Sequence, residues 1–294
     1  MQIKHILAAA ALVATGAANA AIQSGTNGDG SLFLIAFDNQ NGTTTAGLFD
    51  LGYSLTSFAG AGNASATSTL GALAAANTTV VWNFVNNSVT LNGSVVTTLG
   101  TNNWSAAYAT LLANSNAGEI QYVVGANDTT GTSTNKRSLI TGSLTPSAQD
   151  LLNQNTANNT ALGQISNSFD IFTPIATKGT IGSADNGAYT FTAADGATVV
   201  ANGYVMADDG FSSNWRLSNK LGGTVDAGVT NGLWLADGGT AGNERLLGRV
   251  TFSAATGTLT YTNAVTSNVP EPSTYALALL GLAVAGVAAR RRRA

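Results

Sequence analysis

Three stretches of this chain set aspartate beside a glycine turn: Asn27-Gly28-Asp29-Gly30-Ser31, Asp208-Asp209-Gly210 and Asp237-Gly238-Gly239. Carboxylate and carbonyl oxygens gathered by a tight turn are what a hard cation such as calcium takes, so Asp29, Asp208, Asp209 and Asp237 are candidate calcium ligands. None of the three has the full calcium-loop spacing with a terminal glutamate, and Asp next to Gly is equally ordinary turn chemistry. Two carboxylates about 5 to 9.5 Å apart suffice to hydrolyse a glycoside, and Asp208, Asp209, Asp237 and Glu244 could supply such a pair, although none stands in a recognisable motif. Ser133-Thr134-Asn135-Lys136 has the spacing by which a lysine activates a serine, but it reads as a loop and lacks the Ser-Asp-Asn and Lys-Thr-Gly companions. Trp82 and Trp104 stand in apolar periodic contexts and read as core, whereas Trp215 and Trp234 have polar neighbours and are candidates for stacking on sugar rings.

What is missing narrows the chemistry further. The single histidine is His5 and there is no cysteine. Once the N-terminal segment is removed, Ser-His-Asp, Cys-His, zinc–histidine and haem–histidine sites are all excluded, and no disulfide can staple the fold. The remaining expectation is a protein without a catalytic site. From a net charge of −3, loss of Lys4 and the four terminal arginines removes five positive charges and loss of Glu271 one negative, leaving −7 on the mature part. An acidic surface argues against nucleic acid or anionic lipid as a partner. Only 9% of residues are charged, so the surface is wetted by hydroxyls and amides, which suits work in salt or among polysaccharide chains. Polar composition of this kind also fits disorder, but apolar runs and four tryptophans punctuate the whole length.

The two ends read as addresses. Lys4, the apolar Ile6 to Ala14 and the small-x-small Ala18-Asn19-Ala20 form a signal peptide over 1–20, cleaved by signal peptidase between Ala20 and Ala21. At the other end Val269-Pro270-Glu271-Pro272 precedes an uncharged run from Ser273 to Ala289 and the arginines Arg290 to Arg293. That run spans roughly 25 Å as a helix, just enough for a hydrocarbon core of roughly 30 Å with snorkelling flanks. The arginines would stay on the cytoplasmic side of the inner membrane, which the helix engages transiently. Pro270 and Pro272 hold Glu271 on a stiff extended stretch that a peptidase could grip.

The motif, span and basic cluster over 269–294 resemble the tail of the PEP-CTERM proteins of Gram-negative bacteria. The resemblance implies recognition by a membrane exosortase, with Pro270, Glu271 and Pro272 at the processing site and the helix and basic end removed. A permanent membrane anchor is the competing reading. A weaker resemblance links Gly28-Asp29-Gly30-Ser31-Leu32-Phe33-Leu34, Phe37-Asp38 and Leu48-Phe49-Asp50-Leu51-Gly52 to a group of PEP-CTERM proteins with a similar start. It implies a location and a fold but no active site.

Between the addresses, 21–268 reads as one extracellular domain. Ser31 to Asp38, Thr79 to Val85 and Glu119 to Gly125 are short runs rich in aromatic and β-branched residues, bounded by Gly, Asn and Asp, and read as strands. Asn92-Gly93 predicts a type I′ hairpin within Val89 to Val96, and Ala254 to Gly257 a second hairpin between Arg249 to Ser253 and Thr258 to Thr262. Trp104, Ala107, Tyr108 and Leu111 share one helical face over Asn103 to Leu112, and Thr145-Pro146 opens a second helix toward Leu152. The fold expected is mainly β, an antiparallel β-sandwich or jelly-roll-like domain with one or two short helices. The function expected is that of an exported surface or extracellular-matrix protein associated with exopolysaccharide in a biofilm. The alternatives are a carbohydrate-binding module, calcium-dependent through the Asp-Gly turns, and third a carboxylate glycoside hydrolase.

Overall fold

The computed structural model describes residues 29–38, 45–60, 70–97, 104–116, 120–128, 137–142, 144, 187–192, 229–237 and 245–263. The segments expected to form a signal peptide (1–20), a helix from Thr145 and a tail helix (273–289) lie outside them. Among the described residues no helix is long and apolar enough to cross a membrane.

The aromatic and β-branched runs read from the sequence become strands. The first two strands are β1 (Ser31–Asp38) and β2 (Thr45–Ser54), followed by helix α1 (Leu55–Ala59) and a 3₁₀ turn (Ala72–Ala74). Next come β3 (Thr79–Asn83), β4 (Ser88–Leu91), β5 (Ser94–Val95) and helix α2 (Trp104–Ala113). The rest is β6 (Gln121–Asp128), β7 (Arg137–Gly142), β8 (Ala188–Thr192), β9 (Val229–Asp237), β10 (Arg245–Ser253) and β11 (Thr258–Thr262). Both hairpins form as the turn chemistry requires, with φ of 51° at Asn92, 82° at Gly93 and 63° at Gly257. Helix α2 buries Trp104, Ala107, Tyr108 and Leu111, the face read from the sequence.

The mainly-β expectation holds, but the layering differs from a sandwich of two sheets. Among the described residues eleven strands form one sheet, in the order β5-β4-β3-β11-β10-β9-β7-β6-β1-β2-β8. The difference lies in β7 and β9, whose ladder from Arg137↔Asp237 to Gly142↔Gly232 joins two halves that a sandwich would keep apart. The sheet then curls until its far parts touch through side chains. Phe49 on β2 lies 4.9 Å from Phe84 just after β3, and Tyr122 on β6 lies 5.4 Å from Phe252 on β10. Helix α2 fills the gap between the two ends of the curl. Its Ala107 carbonyl accepts from Thr190 on β8 at 2.6 Å, its Ser105 N–H donates to Asn87 after β3 at 2.8 Å, and its Tyr108 hydroxyl donates to the Ala254 carbonyl.

Curvature of this kind needs irregularities in the ladder. In β2 the register jumps from Phe33↔Asp50 to Ser31↔Ser54, so two extra residues bulge out of the strand. Gly52 supplies the φ of 73° that the bulge requires, and its N–H donates to the Asp50 carboxylate at 2.8 Å. Residues of a bulge lose ladder partners, and a buried carbonyl without a donor is destabilising. Two indoles supply donors there: Trp104 Nε1 to the Asp50 carbonyl and Trp82 Nε1 to the Leu51 carbonyl, both at 2.9 Å. A second bulge at Leu247 on β10 is met in the same way, by the Tyr261 hydroxyl at 3.0 Å. Both tryptophans are fully buried, as their sequence context predicts. Tyr261→Phe removes only the donor to Leu247 and is expected to lower the unfolding free energy by about 1–3 kcal/mol. Val95→Ala on the exposed edge is expected to change it by less than about 0.5 kcal/mol; urea titration of both variants checks the contrast.

Candidate functional site

Of the candidate calcium residues, Asp29 and Asp237 lie among the described residues. Asp29 precedes β1 with φ 36°, and both of its carboxylate oxygens are engaged: Oδ2 accepts from Ser54 Oγ at 2.8 Å and Oδ1 from the Thr56 N–H at 2.7 Å. Placed there, Asp29 caps the first turn of α1, satisfying an N–H that the helix itself cannot. Asp237 stands at the end of β9 with its Cα opposite Arg137, and Asp208 and Asp209 lie outside the described residues. Among the described residues no three His, Cys, Asp or Glu side chains converge. Trp215 also lies outside. Trp234 is only 8% exposed and covers Gly232 so closely that a Cβ there would sit 2.6 Å from the indole Nε1. It joins the buried tryptophans and presents no open face to a sugar ring.

Arg137 carries the one ion pair among the described residues, to Asp128 at 3.2 Å, and also donates to the Gly60 carbonyl at 2.8 Å. The ion pair links β6 to β7, and the bond to Gly60 ties that hairpin to the end of α1. Burial raises the pKa values of the tyrosines that tie the curl together, Tyr108, Tyr122 and Tyr261, so they serve as neutral donors. The chemically unusual group is Asp50. Burial pushes its carboxyl from 3.8 up to about 7, opposed in part by the Gly52 N–H. Its sequence, Leu48-Phe49-Asp50-Leu51-Gly52, held the signal: an Asp inside an apolar run with Gly two residues on marks an Asx turn at a bulge.

On the outer face of β9, β10, β11, β3 and β4, successive partners are Thr230↔Thr251↔Thr260↔Val81↔Thr90, flanked by Ser253↔Thr258↔Asn83↔Ser88 and Arg249↔Thr262↔Thr79. Neighbouring strands are about 4.8 Å apart, and Thr230 and Thr251 share a hydroxyl hydrogen bond of 2.7 Å. Arg249 is the sole charge in these rows. The result is a ladder of half-exposed hydroxyls and amides, the uncharged surface anticipated from composition.

The chain leaves this body in a defined way. β11, the last strand, is an interior strand between β3 and β10. Just beyond it, the Asn263 N–H donates to the Thr78 carbonyl at 2.8 Å, its carbonyl accepts from the Asn77 N–H at 3.3 Å, and its side-chain amide donates to the Ala74 carbonyl. The ladder is therefore closed seven residues before Pro270. Pro270, Glu271 and Pro272 lie outside the described residues, as do Ala20 and Ala21.

This is a mainly-β body with a closed last strand, followed by a short tail. Residues 268–293 match the family model of the PEP-CTERM protein-sorting motif. The chain is thus a PEP-CTERM domain-containing protein, an exosortase target marked for export and for sorting to the cell surface or beyond it. No curated protein and no solved structure matches it.

The Asp50 carboxyl gives a pH dependence whose sign is fixed. Its pKa is higher folded than unfolded, so folding takes up a proton between about pH 4 and pH 7 and stability falls as pH rises through that window. The loss is complete above about pH 7 and is on the order of 4 kcal/mol at about 1.4 kcal/mol per pKa unit. Asp50→Asn keeps an acceptor for the Gly52 N–H and is expected to flatten the curve of Tm against pH and to raise Tm at pH 8. A wild-type slope that persists in the variant would assign the effect to another group.

Proposed function

We propose that this chain is a non-enzymatic component of the cell surface or extracellular matrix, exported by its signal peptide, processed by an exosortase at Pro270-Glu271-Pro272 and held among neutral exopolysaccharide. The observation that carries the reading is the ladder of Thr, Ser and Asn across five strands, with one charge in its rows. Hydroxyls at regular spacing exchange hydrogen bonds with a hydroxyl-bearing polymer directly or through water, and the scarcity of charge keeps that contact indifferent to salt. The closed end of β11 supports the same reading, because a cut within 269–273 leaves every described strand intact.

A discrete carbohydrate-binding module with Trp234 as its platform is disfavoured by the burial of that indole. The glycosidase reading gains no support, since Asp208 and Asp209 lie outside the described residues and Asp237 stands opposite an arginine.

Two outcomes are expected. In a host that supplies the exosortase, the wild-type chain reaches the outside without its arginines, whereas Glu271→Ala accumulates at full length in the inner membrane; intact mass of each fraction decides. Thr251→Lys combined with Thr260→Lys lowers retention on the producer's own polysaccharide at least about tenfold, equivalent to about 1.4 kcal/mol, with Tm unchanged within a few degrees. Equal retention of this variant and the wild type would remove the hydroxyl face from the account.

A further inference from the structure

The sheet has an edge that its own side chains leave unguarded. β5 stands first in the sheet order and, among the described residues, is paired on one side only, to β4. Both of its residues are exposed, Val95 by 66%, and Ser94 to Thr97 carry no charge and no proline. An edge of this kind templates pairing with a second chain unless a charge, a proline or a covering group prevents it.

The turn leading into β5 carries acceptor chemistry. Asn-x-Ser/Thr is the pattern that N-glycosyl transfer modifies, at surface positions of exported chains. Three such triplets lie wholly among the described residues, beginning at Asn77, Asn86 and Asn92, and their surroundings differ. In the first, Thr78 is buried, and Thr79 is half-buried with its N–H bonded to Asn92. In the second, Ser105 engages both ends of the Asn87 amide, and Ser88 is a half-buried strand residue. In the third, Asn92, Gly93 and Ser94 are all exposed. No atom lies within 4 Å of where a Cβ on Gly93 would stand, so the outer side of this turn is open.

The Asn92 amide is also oriented. Its Oδ1 accepts the Thr79 N–H at 2.8 Å, which fixes the side chain by its oxygen and leaves Nδ2 without a hydrogen-bond partner among the described residues. A glycosylated amide keeps its carbonyl, so that bond and the hairpin survive modification. Thr90, the partner of Val95, stands two residues before Asn92, which puts all three on one side of the sheet. A glycan leaving Nδ2 therefore starts beside Val95.

We propose that Asn92 is a glycan attachment site and that the sugar covers the β5 edge. In the reaction Nδ2 bonds to the anomeric carbon of a sugar, and the bond from that carbon to the diphosphate of an activated donor breaks. The diphosphate leaves, and the amide proton passes to a base of the producer's transferase.

The test is the mass of the mature protein purified from its producer, with electron-transfer fragmentation of the peptide that spans Asn92 and Ser94. At least one sugar residue is expected on Asn92 in most molecules, retained in Ser94→Thr and lost in Ser94→Ala, a variant that leaves the Asn-Gly turn unchanged. The Ser94→Ala chain is expected to show concentration-dependent association in sedimentation where the wild type shows none. An unmodified Asn92, a sugar on Ser94, Asn77 or Asn86 in its place, or occupancy that persists in Ser94→Ala would overturn the site. Equal sedimentation of Ser94→Ala and the wild type would overturn the covering of the edge.

Discussion

The body of this protein depends on one arrangement: two indole N–H groups pointed at consecutive carbonyls of the β2 bulge. Trp104 reaches Asp50 from α2 and Trp82 reaches Leu51 from β3. A sheet of eleven strands cannot curl without breaking its ladder somewhere, and a break inside the core leaves polar backbone without water. The tryptophans resolve that conflict and at the same time pin the third strand of the sheet order and the plugging helix to the tenth strand. The curl is thereby held by hydrogen bonds as well as by the Phe49, Phe84 and Phe252 cluster.

The same economy governs the functional division of the chain. The sorting signal lies at 268–293, and the last strand of the body is an interior one clamped at Asn263. The sorting signal therefore begins beyond the last ladder hydrogen bonds of the described fold. Without cysteines, the body depends on this closed ladder and on its aromatic core once outside the cell. Its described surface includes a half-exposed ladder of hydroxyls across β9 to β4.

Local features were legible in the sequence, and long-range ones were not. Ser31 to Asp38 coincides with β1, the positive φ at Asn92, Gly93 and Gly257 follows from turn chemistry, and the Trp104, Ala107, Tyr108, Leu111 stripe is the buried face of α2. Each of these is decided within a few residues. The β7–β9 and β3–β11 ladders join residues far apart in the chain, and their register is set by packing that no local pattern contains. This is why a two-sheet sandwich was expected where one sheet forms. Asp29 shows the other limit: an Asp-Gly turn reads equally as a metal loop or a cap, and only the positions of Ser54 and Thr56, distant in sequence, show the cap. The sorting tail was the most legible part because its signal is a linear order of motif, span and charge.

The most direct test of this account is the urea unfolding of the full chain beside chains ending at Asn268 and at Thr256. The account predicts the same midpoint for the full chain and the chain ending at Asn268, because the ladder closes at Asn263, and no cooperative transition for the chain ending at Thr256, which lacks β11 from the middle of its sheet. A chain ending at Asn268 that unfolds at clearly lower urea would show that the tail is part of the fold, and would contradict the separation of a closed body from a removable address.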